Sequence, residues 1–105
     1  MAYRPDKENR KAAITAWKAQ QRAAARAKLP MSVERMQSLF NFLDTELPRF
    51  GCDHTLRLVR GWCDQQGVPF GPVDAWLLDN GGCCDCEALA NAEQAFQEAI
   101  REPGE

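Results

Sequence analysis

The sequence predicts an all-α protein, a small bundle of about four short helices behind one long N-terminal helix. Five segments carry apolar or strongly helix-forming residues at helical spacing, and no segment alternates between apolar and polar residues as a strand would. Prolines and glycines separate these segments and predict short connections. A chain of 105 residues is long enough for one small core and too short for two.

The first predicted helix spans residues 6–28. The segment is rich in alanine, has no interior glycine or proline, and is expected to end before Pro30. Residues 1–29 carry eight Lys and Arg against two Asp and Glu, a charge of +6, so the rest of a chain of net charge -2 carries -8. This asymmetry predicts two units, a basic helical arm at 1–29 and a helical domain at 30–105.

Four shorter helices are expected in that domain. The first follows Ser32, a favourable N-cap, and is expected to stop at Pro48 and Gly51. The next should run from about 55 to 66, followed by one that opens at Gly71-Pro72 and a last one that begins near Asp85. Their apolar positions predict the core, which comprises Val33, Met36, Leu39, Phe40, Leu43, Leu47, Leu58, Val59, Trp62, Val73, Trp76, Leu77, Leu89, Ala92, Phe96 and Ile100.

A near-repeat marks two of the predicted loop-to-helix corners. GCDHTLRL at 51–58 returns as CCDCEALA at 83–90. Each copy offers two metal-ligand side chains around one aspartate, and the four are Cys52, His54, Cys84 and Cys86. Three thiolates and one imidazole form a tetrahedral set that zinc favours. The sequence therefore predicts a structural Zn²⁺ that staples the short helices together.

Neighbouring polar residues are expected to support these ligands or cap the helices, and they comprise Asp53, Thr55, Arg57, Asp85, Glu87 and Asn91. Asp53 and Asp85 are expected to cap the helix that each corner opens. Arg57 is expected to hold a backbone carbonyl or Glu87. Cys83 should point away from the site, and Cys63 lies in an apolar stripe that predicts a core position.

These motifs closely resemble a bacterial family catalogued as domain of unknown function 2695. CDHT and GGCCDCEALAN match the family's CDHT and GGYCDCEVLAN blocks, and WKAQQRAAARAKLP extends the resemblance over nearly the whole chain. The matching positions are Cys52, Asp53, His54, Thr55, Arg57, Gly81, Gly82, Cys84, Asp85, Cys86, Glu87, Leu89 and Asn91. Cys83 stands where the family has an aromatic residue, which argues against a ligand role for it. The resemblance supports the metal site and implies no activity.

The predicted function is recognition rather than catalysis. Four protein ligands would close the zinc sphere, and Glu87 could act only at a fourth position left by His54. We therefore expect a protein-binding, regulatory or adaptor module, of the immunity type, whose partner is another protein. The N-terminus has no apolar signal-like region, and no apolar run reaches membrane-spanning length. A cytoplasmic protein with no membrane partner is expected.

Two alternatives remain at this stage. The first is a thiol redox protein or zinc-release sensor that uses Cys83, Cys84 and Cys86. The second is a nucleic-acid-associated protein that binds through its basic arm. Ile14 and Trp17 are expected to anchor one end of that arm to the core. Its candidate partner-binding residues are Lys7, Lys11, Trp17, Lys18, Arg22 and Arg26. The oligomeric state is left open.

Overall fold

The computed structural model describes the backbone of residues 6–101 and the side chains of residues 13–101. Four helices come first: α1 (Asp6–Ala27), α2 (Val33–Phe50), α3 (Arg57–Gln66) and α4 (Phe70–Asp79). The C-terminal helix joins three consecutive segments, α5 (Asp85–Glu87), a π-helical turn (Ala88–Ala92) and α6 (Glu93–Ala99). Across residues 6–101 there is no strand, and the predicted all-α class is confirmed.

Helix α2 provides one wall of the core. Its N-cap, Ser32, accepts a hydrogen bond from the backbone nitrogen of Arg35 at 3.2 Å. The sequence predicted that Pro48 and Gly51 stop the helix; it runs two residues beyond Pro48 and ends before Gly51. Pro48 has no N–H, so the last turn lacks the hydrogen bond that this residue would donate to the Asp44 carbonyl. Gly51 ends the helix with a positive φ of 71°, and its N–H donates to the Leu47 carbonyl at 2.8 Å.

The core joins α2 to α3, α4 and the C-terminal helix, and these four helices form the body of the protein. The Phe40 ring lies 5.5 Å from the Phe96 ring and 6.5 Å from the Trp76 indole, measured between centroids. Cys63 is fully buried in the same cluster, as predicted. Most predicted core positions are buried, whereas Val33, Leu47, Leu58, Leu89 and Ile100 are half-buried at its edge.

Two helix starts differ from their predicted positions. Helix α3 begins at Arg57 rather than about Thr55, because Thr55 belongs to the preceding turn. Helix α4 begins at Phe70 with Pro69 as its N-cap. Pro72 therefore lies at the third helical position rather than the first, where it still costs no intrahelical hydrogen bond.

Helix α1 packs on α6 of the body. Trp17 is 59% exposed and Ile14 is 51% exposed, so the prediction that they anchor the arm to the core is wrong. Arg22 is half-buried instead, and it lines a groove together with Glu98, Arg101 and the exposed Trp17. The side chains of Lys7 and Lys11 lie outside the described residues. No helix in the described part of the chain has the length and apolar character needed to cross a membrane.

Candidate metal centre

Three cysteine sulfurs converge between the two corners of the near-repeat. The Sγ atoms of Cys52, Cys84 and Cys86 all lie within 4.8 Å of one another, and Cys84 and Cys86 are 3.4 Å apart. A tetrahedral zinc ion with bonds of about 2.3 Å would place its sulfur ligands about 3.8 Å from each other. These cysteines are free thiols, and their spacing suits ligands of one metal ion.

The first corner, residues 51–56, is a side-chain-stabilised turn. The backbone nitrogen of Thr55 donates to Asp53 Oδ1 at 3.1 Å, and the Thr55 hydroxyl donates to the same oxygen. Thr55 Oγ1 in turn accepts from the backbone nitrogen of Arg57 at 3.2 Å. Asp53 thus stabilises the turn before α3 and does not cap the helix itself. The hydrogen bond from the Thr55 hydroxyl lowers the pKa of Asp53.

Arg57 closes this turn from the first residue of α3. Its Nη2 donates to the Gly51 carbonyl oxygen at 3.2 Å. Its Nε lies 4.0 Å from Asp53 Oδ2, an exposed pair that adds little stability by itself. The guanidinium thereby contacts the residues on either side of Cys52, Gly51 and Asp53. In this structure Arg57 contacts the first corner rather than Glu87.

Asp85 connects the second corner, residues 81–86, to the start of α3. Its carboxylate is fully buried and accepts from the backbone nitrogens of Leu58 at 2.9 Å and Val59 at 3.1 Å. Its own N–H donates to the Thr55 carbonyl at 3.0 Å. Asp85 is therefore a helix cap, but for α3 rather than for the C-terminal helix, whose N-cap position is Cys84. The residue between two candidate ligands fastens the two corners together.

Burial and hydrogen bonding shift the pKa values of the site residues in opposite directions. Burial raises the pKa of the Cys84 thiol to about 12. Burial also opposes ionisation of Cys52, but hydrogen bonds from the backbone N–H groups of Cys86 and His54 outweigh it and lower that pKa. The His54 nitrogen lies 3.4 Å from Cys52 Sγ. Burial raises the pKa of Asp85, against the two N–H groups that it accepts from.

Two glycines let the second corner pack closely. Gly81 has a positive φ of 82°, and its carbonyl accepts from Asn91 Nδ2 at 3.1 Å. A Cβ on Gly82 would lie 3.1 Å from the Ala88 Cα and 3.2 Å from the Leu77 carbonyl oxygen. Glycine at 82 therefore lets this corner pack against α4 and the π-helical turn.

The remaining candidates lie around the three thiols. His54 is exposed with a positive φ of 68°, and its ring nitrogens are not part of the group of atoms within 4.8 Å. Cys83 is exposed and also outside the group. Glu87 Oε1 lies 3.4 Å from Cys84 Sγ and accepts from that thiol, but it too is outside the group of atoms within 4.8 Å of one another.

The π-helical turn at Ala88–Ala92 was not predicted from the sequence, and it lies just after the candidate ligands Cys84 and Cys86. Such turns often occur at functional sites. An alanine-rich segment with one asparagine carries no signal that distinguishes a π turn from an α turn, so a sequence of this kind could not have indicated it.

Fold and site together define a small all-helical protein in which three cysteines from two distant turns form a cluster of thiols. A sequence profile of the family described as "Protein of unknown function (DUF2695)" matches residues 39–91, which include both corners. The chain belongs to this family.

Full-length relatives extend the similarity into the arm. The chain is 31% identical over 93 residues to an uncharacterized protein of Mycobacterium bovis, and the match covers 89% of this chain and 94% of the relative. Uncharacterized proteins from two strains of Mycobacterium tuberculosis match with the same identity and coverage. No solved structure shows a significant match to this chain.

Proposed function

We propose that Cys52, Cys84 and Cys86 hold a structural Zn²⁺ that staples the two corners of the body. The convergence of three sulfur atoms from turns about thirty residues apart carries this proposal. Thiolates favour zinc among the common divalent ions, and zinc has no redox chemistry of its own. A body of four short helices gains stability from such a cross-link, since metal binding and folding are coupled in small sites.

His54 as the fourth ligand stays a prediction. Its backbone N–H donates to Cys52 Sγ, which places the residue at the edge of the site. Its imidazole would have to turn toward the sulfur atoms in order to complete a Cys₃His set.

The proposed role of the stapled domain is to bind another protein, without catalysis. Helix α1 supports this role because it carries Trp17 and Ile14 with more than half of each side chain exposed. Large apolar side chains on a helix surface are typical anchors for a protein partner. Two grooves of the described residues lie between α1 and the body.

Metal analysis tests the staple. Protein purified without chelators should contain equimolar zinc, and the Cys52→Ser and Cys84→Ser variants should lose most of it and become sensitive to protease. Cys83→Ala is the matched control, because this exposed thiol lies outside the group, and it should keep its zinc. Metal-free native protein, or loss of zinc in Cys83→Ala, would contradict the ligand assignment.

Affinity capture tests the partner. Bait protein carrying Trp17→Ala and Ile14→Ala should lose a protein that the unchanged bait retains, while its helical circular dichroism and zinc content stay the same. An exposed substitution elsewhere, Phe50→Ala, serves as the control. Capture that does not depend on Trp17 and Ile14 would count against α1 as the binding element, and salt-sensitive capture of nucleic acid would favour the nucleic-acid alternative.

A further inference from the structure

We infer that Glu87 supplies the fourth ligand of the metal and that this position is the exchangeable one. The inference rests on the proposed zinc site and names the group that completes it. Glu87 Oε1 lies 3.4 Å from Cys84 Sγ. On a tetrahedral zinc ion with bonds of about 2.3 Å to sulfur and about 2.0 Å to oxygen, those two ligand atoms would be about 3.5 Å apart.

The position of Glu87 in the chain brings its carboxylate close to a candidate ligand. Cys84, Cys86 and Glu87 lie in one short stretch that opens the C-terminal helix, and residues three apart on a helix are neighbours. The N–H of Ala88 already bonds to the Cys84 carbonyl at 2.8 Å, so helical geometry holds across this stretch. The carboxylate thus lies beside Cys84 Sγ but outside the group of three sulfurs, and its side chain would turn toward the ion on coordination.

His54 is held in a less favourable position. The turn around it is closed on both sides, by the bond from Thr55 to Asp53 and by the bond from its own N–H to Cys52 Sγ. Within that turn its side chain is exposed, and the ring nitrogens lie outside the 4.8 Å group. The Glu87 oxygens also lie outside that group, but Glu87 Oε1 already contacts a candidate ligand sulfur, whereas His54 contacts Cys52 Sγ through its backbone N–H.

A carboxylate at the fourth position would bind the ion more weakly than the three thiolates do. Thiolates match the softness of zinc better than carboxylates do, and Glu87 is exposed whereas Cys84 is buried. An incoming thiol or imidazole, from a small molecule or a partner side chain, would therefore displace Glu87 before any cysteine. The site would then accept one exogenous soft ligand while the three cysteines keep the staple closed.

Zinc affinity tests the assignment on the full chain, measured by competition with a chromophoric chelator. Glu87→Gln should weaken zinc binding by about tenfold or more, while His54→Ala should change it by less than about threefold. Glu93→Gln, on α6 of the same helix and away from the thiols, is the matched control and should bind as tightly as the unchanged protein. Helical circular dichroism of each zinc-loaded variant verifies that the fold is kept.

Cobalt(II) provides a second readout that a merely structural role of Glu87 would not change. In the cobalt-substituted protein, added imidazole should shift the visible d–d bands, because it replaces the carboxylate, and the sulfur-to-cobalt charge-transfer bands should remain. Weakened zinc binding in His54→Ala with none in Glu87→Gln would overturn the inference, and so would unchanged bands on titration with imidazole. Failure of every protein, the unchanged chain included, to bind zinc would instead refute the proposed staple.

Discussion

Asp85 caps a helix that begins 28 residues before it, with its Oδ1 at 3.1 Å from the backbone nitrogen of Val59. The same carboxylate accepts from Leu58, and the Asp85 N–H donates to the Thr55 carbonyl. These three bonds join the two corners through the backbone, independently of any metal. Because Asp85 lies between Cys84 and Cys86, its bonds also fix where those two thiols point relative to Cys52.

Replacing Asp85 by asparagine should therefore destabilise the fold strongly. Asparagine keeps one acceptor oxygen but turns an amide NH₂ toward a backbone N–H, and we expect a loss of about 2 kcal/mol in the free energy of unfolding. Urea denaturation followed by circular dichroism measures it, with saturating zinc and again with chelator. Asp53→Asn is the matched control, and an exposed turn aspartate should cost less than about 1 kcal/mol. Equal losses in the two variants would show that the cap on α3 does not stabilise the body.

Glycine 82 supports a second prediction. A methyl group there would press on the Ala88 Cα and the Leu77 carbonyl oxygen, both of which belong to packed backbone. Gly82→Ala should thus destabilise by about 1–3 kcal/mol, as measured by thermal or urea unfolding. Gly61 lies within α3, and a Cβ there would meet nothing within 4 Å. Gly61→Ala should therefore raise the free energy of unfolding by about 0.5–1 kcal/mol, because alanine favours the helix and restricts the unfolded chain. Stabilisation by both substitutions would contradict the close packing of the second corner.

The helices and three of the candidate ligands could be predicted because their signals are local. The N-cap Ser32 and the apolar period after it locate α2, and the CxC pair identifies Cys84 and Cys86 by spacing alone. Cys52 lies in the other copy of the near-repeat, and the fold brings its sulfur to theirs.

What could not be predicted depends on contacts between distant segments. Capping patterns relate an aspartate to the helix that follows it, so they could not reveal that Asp85 reaches back to α3. The orientation of α1 is a similar case. Its alanines and Trp17 suggested an inner face, but Trp17 is exposed and Arg22 is half-buried. Which face of a weakly apolar helix packs depends on the surface that it meets, here α6, and that surface is not encoded in the helix itself.

Thiol reactivity should separate the five cysteines into classes. In the zinc-loaded protein only Cys83 should react rapidly with a chromogenic disulfide reagent, since it is exposed and outside the thiol group. A chelator should release Cys52, Cys84 and Cys86, while Cys63 should react only after unfolding because burial excludes the reagent and raises the pKa of its thiol. Mass spectrometry of the labelled peptides identifies each class. Rapid labelling of Cys86 with zinc present would argue that it is not a ligand.

Two of the three tryptophans, Trp17 and Trp76, allow a test of whether α1 contributes to the core. Trp76 is 9% exposed and packs on Phe40, so Trp76→Ala should cost about 3–5 kcal/mol and raise the exposure of the core to a hydrophobic dye. Trp17 is 59% exposed on α1, so Trp17→Ala should change the unfolding free energy by less than about 0.5 kcal/mol. Urea titrations of the two variants at matched zinc concentration make the comparison. A large loss for Trp17→Ala would mean that this side chain is buried in solution, either against the body or against a second copy, and sedimentation at two concentrations would distinguish the two. A negligible loss leaves Trp17 free to contact a partner, which is the condition that a recognition role for α1 requires.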